Sequence, residues 1–139
     1  HLLSLPGAKE RLVLAPGDLE REGSFAEALD GADHVIHTAS AVVLAAKDPQ
    51  REIVDVAVNG TKNVVGAALA SKSIERIVIT SSVASVAGQE RPVGIEYSEA
   101  DWNEIATVKT DAYATSKVRA ERARRRAKSR SAGIRNALT

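Results

Sequence analysis

Three short apolar runs, at 11–15, 34–39 and 74–80, alternate with stretches whose apolar residues recur at helical spacing. This alternation constrains the fold more than any other feature. Strands separated by helical segments return to the same edge direction and pair in parallel, with the helices packed on the sheet. Arg11-Leu12-Val13-Leu14-Ala15 reads as a first strand, stopped by Pro16-Gly17. Ser24-Phe25-Ala26-Glu27 has capping-box spacing and opens a short helix through Leu29, ended by Gly31. His34-Val35-Ile36-His37-Thr38-Ala39 reads as the second strand. Asp48-Pro49 supplies an N-cap and first-turn proline for a helix running to about Ser71, with Asn59-Gly60 inside it. The third strand spans 74–80, a loop with Gly88, Pro92 and Gly94 follows, and a helical pattern runs from Asp111 to about Lys128. The expected class is α/β, a partial doubly wound Rossmann-type parallel sheet with helices on both faces.

Composition agrees. The apolar residues are mainly Ala, Val, Leu and Ile, with one Trp, one Phe and two Tyr, which suits a buried parallel sheet. The absence of Cys excludes a disulfide framework and a thiolate metal site, and is compatible with a reducing compartment. No run reaches the roughly 18 apolar residues that span a bilayer, and His1-Leu2-Leu3-Ser4-Leu5-Pro6 lacks the basic start of a signal peptide. A soluble, cytoplasmic protein without a membrane partner is expected.

The net charge of +1 hides an asymmetry: residues 1–118 carry eleven Lys/Arg against seventeen Asp/Glu, residues 119–139 eight against one. Arg119, Arg122, Arg124, Arg125, Arg126, Lys128 and Arg130 could grip a polyanion, or could form the solvated face of a helix. No aromatic residue interleaves the run to stack on bases, so nucleic acid is not the expected partner. Residues 119–139 are read as a basic, atypical C-terminal segment, in which 133–139 makes a poor core strand.

Chemistry concentrates in two places. In Tyr113-Ala114-Thr115-Ser116-Lys117 the i, i+4 spacing sets a phenol and an ammonium on one helix face. The cation favours phenolate and lowers a pKa that starts near 10, so the phenol can pass a proton to a carbonyl oxygen. The spacing alone is weak; its force comes from Thr80-Ser81-Ser82, at the carboxyl end of the third strand, where open α/β sheets place ligands. A hydroxyl there can donate to a substrate carbonyl as charge develops on it. Thr38-Ala39-Ser40 and Asp18-Leu19 follow the other two strands and are suited to line a cofactor crevice, or serve as ordinary turns. His34 and His37 lack a metal-ligand partner and read as strand packing, so no metal is expected. Trp102 reads as a loop anchor against the core, with substrate contact as the alternative.

The series Pro16-Gly17-Asp18-Leu19, His37-Thr38-Ala39-Ser40, Lys47-Asp48-Pro49, Val58-Asn59-Gly60-Thr61, Ile79-Thr80-Ser81-Ser82 and Tyr113-Ala114-Thr115-Ser116-Lys117 resembles the extended short-chain dehydrogenase/reductases. Within them it is most similar to the dihydroflavonol 4-reductase-like branch of aldehyde and ketone reductases. The resemblance runs from His1 to about Arg122. It implies that Ser82 polarises the substrate, that Tyr113 donates the proton, and that Lys117 lowers the Tyr113 pKa and binds the nicotinamide ribose. It further implies that Asp18 and Leu19 contact the adenine, that Thr38, Ala39 and Ser40 pass beside the ribose and pyrophosphate, and that Thr80 lines the nicotinamide. The implied reaction is reversible hydride transfer between NADP(H), with NAD(H) still open, and a small carbonyl or alcohol substrate. A sugar-nucleotide epimerase, a hydroxysteroid dehydrogenase and a non-catalytic NADP-binding or scaffold protein are the rival readings.

The sequence departs from that pattern in four respects. No G-x-x-G-x-x-G or G-x-G-x-x-G loop occurs in it. The family's first two strands and its C-terminal substrate region have no counterpart, so residues 1–139 are read as an incomplete dinucleotide-binding domain, the middle third or so of an enzyme. Ala57 stands where many relatives carry a helix Asn, with Asn59 two residues on. Ala87 stands where flavonoid reductases place a substrate-binding Asn. In the strand order 3-2-1-4-5-6 the run at 11–15 has no neighbour to pair with. The isolated chain is accordingly expected to be marginally stable or to aggregate; a sharp cooperative melt of the purified 139-residue chain would contradict this.

Overall fold

The second and third of the expected strands form and pair in parallel. β1, His34–His37, and β2, Arg76–Ile79, lie with His34 opposite Arg76 and His37 opposite Ile79. The ladder extends past both ends, through Glu75 N–H to Asp33 O (2.7 Å) and Thr80 N–H to His37 O (3.0 Å). The computed structural model describes residues 1–43, 45–88 and 92–129. Arg130 and the 133–139 segment of the basic C-terminus lie outside the described residues.

The expected strand at 11–15 does not form. Arg11 ends a short helix, α1 (Ala8–Arg11), and its guanidinium donates to Pro6 O (3.0 Å). Residues 12–17 take no regular structure, with Val13 89% and Leu14 58% exposed. The cause is the missing neighbour: strand backbone needs a second strand for its N–H and C=O groups, and unpaired chain leaves them to water. The Ser24-Glu27 capping box is also not made. α2 (Ala26–Leu29) has no side-chain cap, and the Ser24 hydroxyl instead donates to Asp18 O at 2.6 Å. Gly31 does take the left-handed φ of +71° that turns the chain toward β1.

The long helix opens as read. Asp48 Oδ1 accepts from Arg51 N–H (3.1 Å) and Glu52 Oε1 accepts from Asp48 N–H (2.8 Å), a reciprocal cap. A π-helical segment, Gln50–Asp55, leads directly into α3, Val56–Ala70. α3 lays Val64 and Ala68 on Val35 and Ile77, with Ile74 completing the core and Leu19, Phe25, Leu29, Ala32 and Ile79 packed around it. On the opposite face of β1, Ile36 stays 73% exposed. α4, Ala112–Ser129, starts where the sequence places it, because Asp111 Oδ1 accepts from Ala114 N–H at 2.8 Å. It packs on α3 and the π-helical segment, burying Ala114 and Val118. No helix among the described residues is long and apolar enough to cross a membrane.

Gly60 shows why the Asn59-Gly60 pair is tolerated within α3. A Cβ at Gly60 would lie 2.8 Å from Leu19 Cβ, and the Leu19 turn is tied to α3 by Asn63 Nδ2 donating to Leu19 O (2.8 Å). In an open helix Gly60→Ala would gain about 1 kcal/mol. Here it is expected to lower the unfolding free energy by about 1–3 kcal/mol, because the obstructing atom is fixed to backbone. Urea denaturation of the two proteins side by side measures the sign.

Candidate active site

The carboxyl ends of β1 and β2 open into a cleft whose far wall is α4. Ala39, Ser40, Thr80 and Lys117 line it, together with His37 and Ala57. The two strands leave the sheet side by side here, so short polar residues just past each of them converge, as parallel sheets require. On α4, Lys117 Nζ donates to Ser40 Oγ at 2.8 Å and sits 5.4 Å from the centre of the Tyr113 ring. The i, i+4 spacing therefore does bring phenol and ammonium together on one face, and Ser40 fixes the ammonium from the sheet side. Tyr113 is 39% exposed and is not among the residues that line the cleft.

Ser82 sits next to this cleft, at the start of a 3₁₀ turn, Val83–Ser85. Its Oγ accepts from Ala84 N–H (3.2 Å), which occupies a lone pair and leaves the hydroxyl proton for donation. Ser82 lines a second groove with Val83, Val86 and Trp102, and this groove shares Ile79, Ser81, Glu121 and Arg124 with the cleft.

Several charges meet along α4. Glu121 pairs with both Arg124 and Arg125, at 3.2 Å from Arg125 Nε. Burial pushes the Glu121 carboxyl up, but hydrogen bonds and charge from Arg124, then Arg125, outweigh it and leave the pKa below its ordinary value. The guanidiniums of Arg122 and Arg125 stand 4.9 and 4.6 Å from the Trp102 ring centre. Arg119 donates to Gln50 Oε1 (3.2 Å) and Arg122 lies 3.8 Å from Glu104. The described part of the basic segment thus forms a helix face whose arginines engage their own chain, and Trp102 is an anchor on it.

The residues singled out from sequence are only partly brought together. Ser40, Ala39, Thr80 and Lys117 share the cleft and Ser82 adjoins it; Thr38 is exposed just past β1. Asp18 and Leu19 are elsewhere in their contacts. Asp18 Oδ1 accepts from Glu20 N–H (2.9 Å) within its own turn, and Leu19 packs into the core against Gly60. Ala57 faces the cleft, whereas Asn59 is exposed. Sequence reasoning missed three participants. His37 packs within β1 as read and also lines the cleft, a placement its spacing does not signal, whereas His34 is exposed on β1 and does not pack. The Glu121 pairs were legible as i, i+3 and i, i+4 spacing. Asn103, buried against the Ser82 turn, carried no sequence signal beyond its place after Trp102.

His37 makes the site pH-sensitive. Burial first, then the Lys117 charge, holds its pKa below the ordinary 6.5. The unfolded chain therefore binds a proton there that the folded chain refuses, so stability rises with pH across the interval between the lowered folded pKa and 6.5. His37→Asn is expected to flatten that acid limb in denaturant melts run between pH 5 and pH 8.

The sequence profile of the 3-beta hydroxysteroid dehydrogenase/isomerase family matches residues 7–137. Cinnamoyl-CoA reductase CAD2 of Medicago truncatula is 46% identical over 92 residues, covering 66% of this chain and 28% of that protein. Dihydroflavonol 4-reductase of Arabidopsis thaliana is 38% identical over 105 residues, covering 76% of this chain and 27% of that protein. The chain thus spans little more than a quarter of the length of these relatives. The crystal structure of Gre2 in complex with NADPH from Candida albicans superposes with a TM-score of 0.78 at 31% identity, over 88% of this chain and 39% of that one. A parallel sheet whose strand ends face a Tyr-x-x-x-Lys helix, matched along nearly its whole length by one profile, makes the chain a member of the 3-beta hydroxysteroid dehydrogenase/isomerase family of extended short-chain dehydrogenase/reductases.

Proposed function

We propose that the protein carrying this chain is an NADPH-dependent carbonyl reductase acting on a small aldehyde or ketone, with Tyr113 as proton donor. The observation that carries the proposal is the grip on Lys117. Its ammonium is held 2.8 Å from Ser40 and 5.4 Å from the Tyr113 ring, at the end of the sheet where Ser82 also stands. An ammonium so placed can stabilise the negative charge left on the ring when the phenol gives up its proton to a substrate oxygen.

The cleft residues fit a nicotinamide cofactor. The side chains of Ala39 and Thr80 at the strand ends are small, and the Lys117 ammonium beside Ser40 is a donor that ribose hydroxyls would accept from. When bound, the cofactor supplies the hydride. Ser82 donates a hydrogen bond from its hydroxyl to the substrate oxygen and holds the carbonyl in place. Tyr113 then passes its phenolic proton to that oxygen, and Lys117 stabilises the charge left on the ring. Run backward, Tyr113 takes the proton of the alcohol while the hydride would return to the oxidised cofactor. NADPH is favoured over NADH by likeness to the NADPH complex of Gre2.

The test is turnover by the full-length protein, followed as NADPH oxidation with small aldehydes and ketones. Tyr113→Phe is expected to lower kcat by about 10²- to 10⁴-fold while the NADPH dissociation constant changes little. Ser40→Ala removes the hydrogen bond that fixes Lys117 and is expected to lower kcat/KM by about tenfold. Full turnover by Tyr113→Phe would overturn the proposal.

A further inference from the structure

Ser82 is only as well placed as the turn that carries it, and that turn is held from outside. Ser82 Oγ takes its hydrogen bond from Ala84 N–H (3.2 Å). Ser82 O accepts twice from Ser85, from N–H at 2.9 Å and from Oγ at 2.6 Å. Both anchoring residues are in turn held by Asn103: its Nδ2 donates to Ala84 O (3.0 Å) and Ala87 O (3.2 Å), and its backbone N–H donates to Ser85 O (2.9 Å). Asn103 Oδ1 accepts from Ala106 N–H at 3.0 Å. Two carbonyls on one side of the amide and an N–H on the other fix which atom is nitrogen. Asn103 is 6% exposed, so each of these bonds is protected from water.

Two further contacts complete the arrangement. Gly88 closes over the amide so tightly that a Cβ there would overlap the Asn103 side chain. The preceding residue, Trp102, is clamped on α4 by Arg122 and Arg125 at 4.9 and 4.6 Å. The dipeptide Trp102-Asn103 therefore bridges the helix that carries Tyr113 and Lys117 to the turn that carries Ser82.

We propose that Asn103 is a positioning residue that sets the Ser82 hydroxyl against the Tyr113–Lys117 pair, with Trp102 as its post on α4. This rests on the reductase reading given above. An Asn serves because the site needs two donors and one acceptor on one short side chain. Asp keeps the acceptor but sets a negative charge against two carbonyl oxygens.

The experiment is a double-mutant cycle in the full-length protein between Asn103→Asp and Ser82→Ala, with thermal melts and NADPH dissociation constants measured for every variant. Asn103→Asp is expected to lower kcat by about 10- to 100-fold, with KM and NADPH affinity nearly unchanged, and to have almost no further effect once Ser82 is Ala. Multiplicative losses in the double variant, or a kcat loss explained by the unfolded fraction, would overturn the positioning role. They would leave the reductase reading intact, since that depends on the Ser82→Ala and Tyr113→Phe losses alone. Wild-type turnover by Ser82→Ala would overturn both. If Asn103→Asp does not fold, Gly88→Ala carries the same cycle, because it displaces the Asn103 amide without removing any of its donors.

Discussion

α3 packs against both the sheet and α4, and the rest of the molecule hangs on that packing. Its Val64 and Ala68 cover Val35 and Ile77, while Ala114 and Val118 of α4 close over its other side. Ala68 is fully buried and Ala114 is 1% exposed, so the elements approach through side chains that add almost no bulk. Because α4 carries Tyr113 and Lys117 while Ser40 and Ser82 lie just past the strands, the packing of α4 and the sheet on α3 sets how these residues stand to one another. The hydrogen bond from Lys117 to Ser40 joins α4 directly to the end of β1.

Cations at this site are placed under two different rules. Lys117 stands at the edge of the cleft with a neutral hydroxyl as partner, so its charge remains available to the phenol. Arg124 and Arg125 share the single carboxylate of Glu121, and Arg122 and Arg125 lie against the indole of Trp102. The second group ties α4 to Glu121 and to the Trp102 loop.

Much of the fold was legible in the residues. The β1 and β2 spans, the Asp48 cap, the α4 start at Asp111 and the left-handed Gly31 follow from local patterns that act within one turn or one strand. The run at 11–15 was misread because a strand is made by its partner: the local pattern was right for an extended segment, and no neighbour was there to pair with it. Ser24 followed the same logic. Its hydroxyl had two possible bonds of similar strength, and the turn around Asp18 decided between them.

For the site, sequence alone determined the chemistry and the order: a phenol four residues before an ammonium on a helix, and hydroxyls just past apolar strands. Those are properties of covalent spacing, and they hold wherever the segments fold. Tertiary structure alone decided the company each residue keeps. It sent Leu19 into the core beneath Gly60, brought His37 beneath the cleft beside Ser40 and Lys117, and tied Asn103 to the Ser82 turn. These pairings join residues far apart in the chain, and contacts of that kind are selected by whole-molecule packing, which no local pattern encodes.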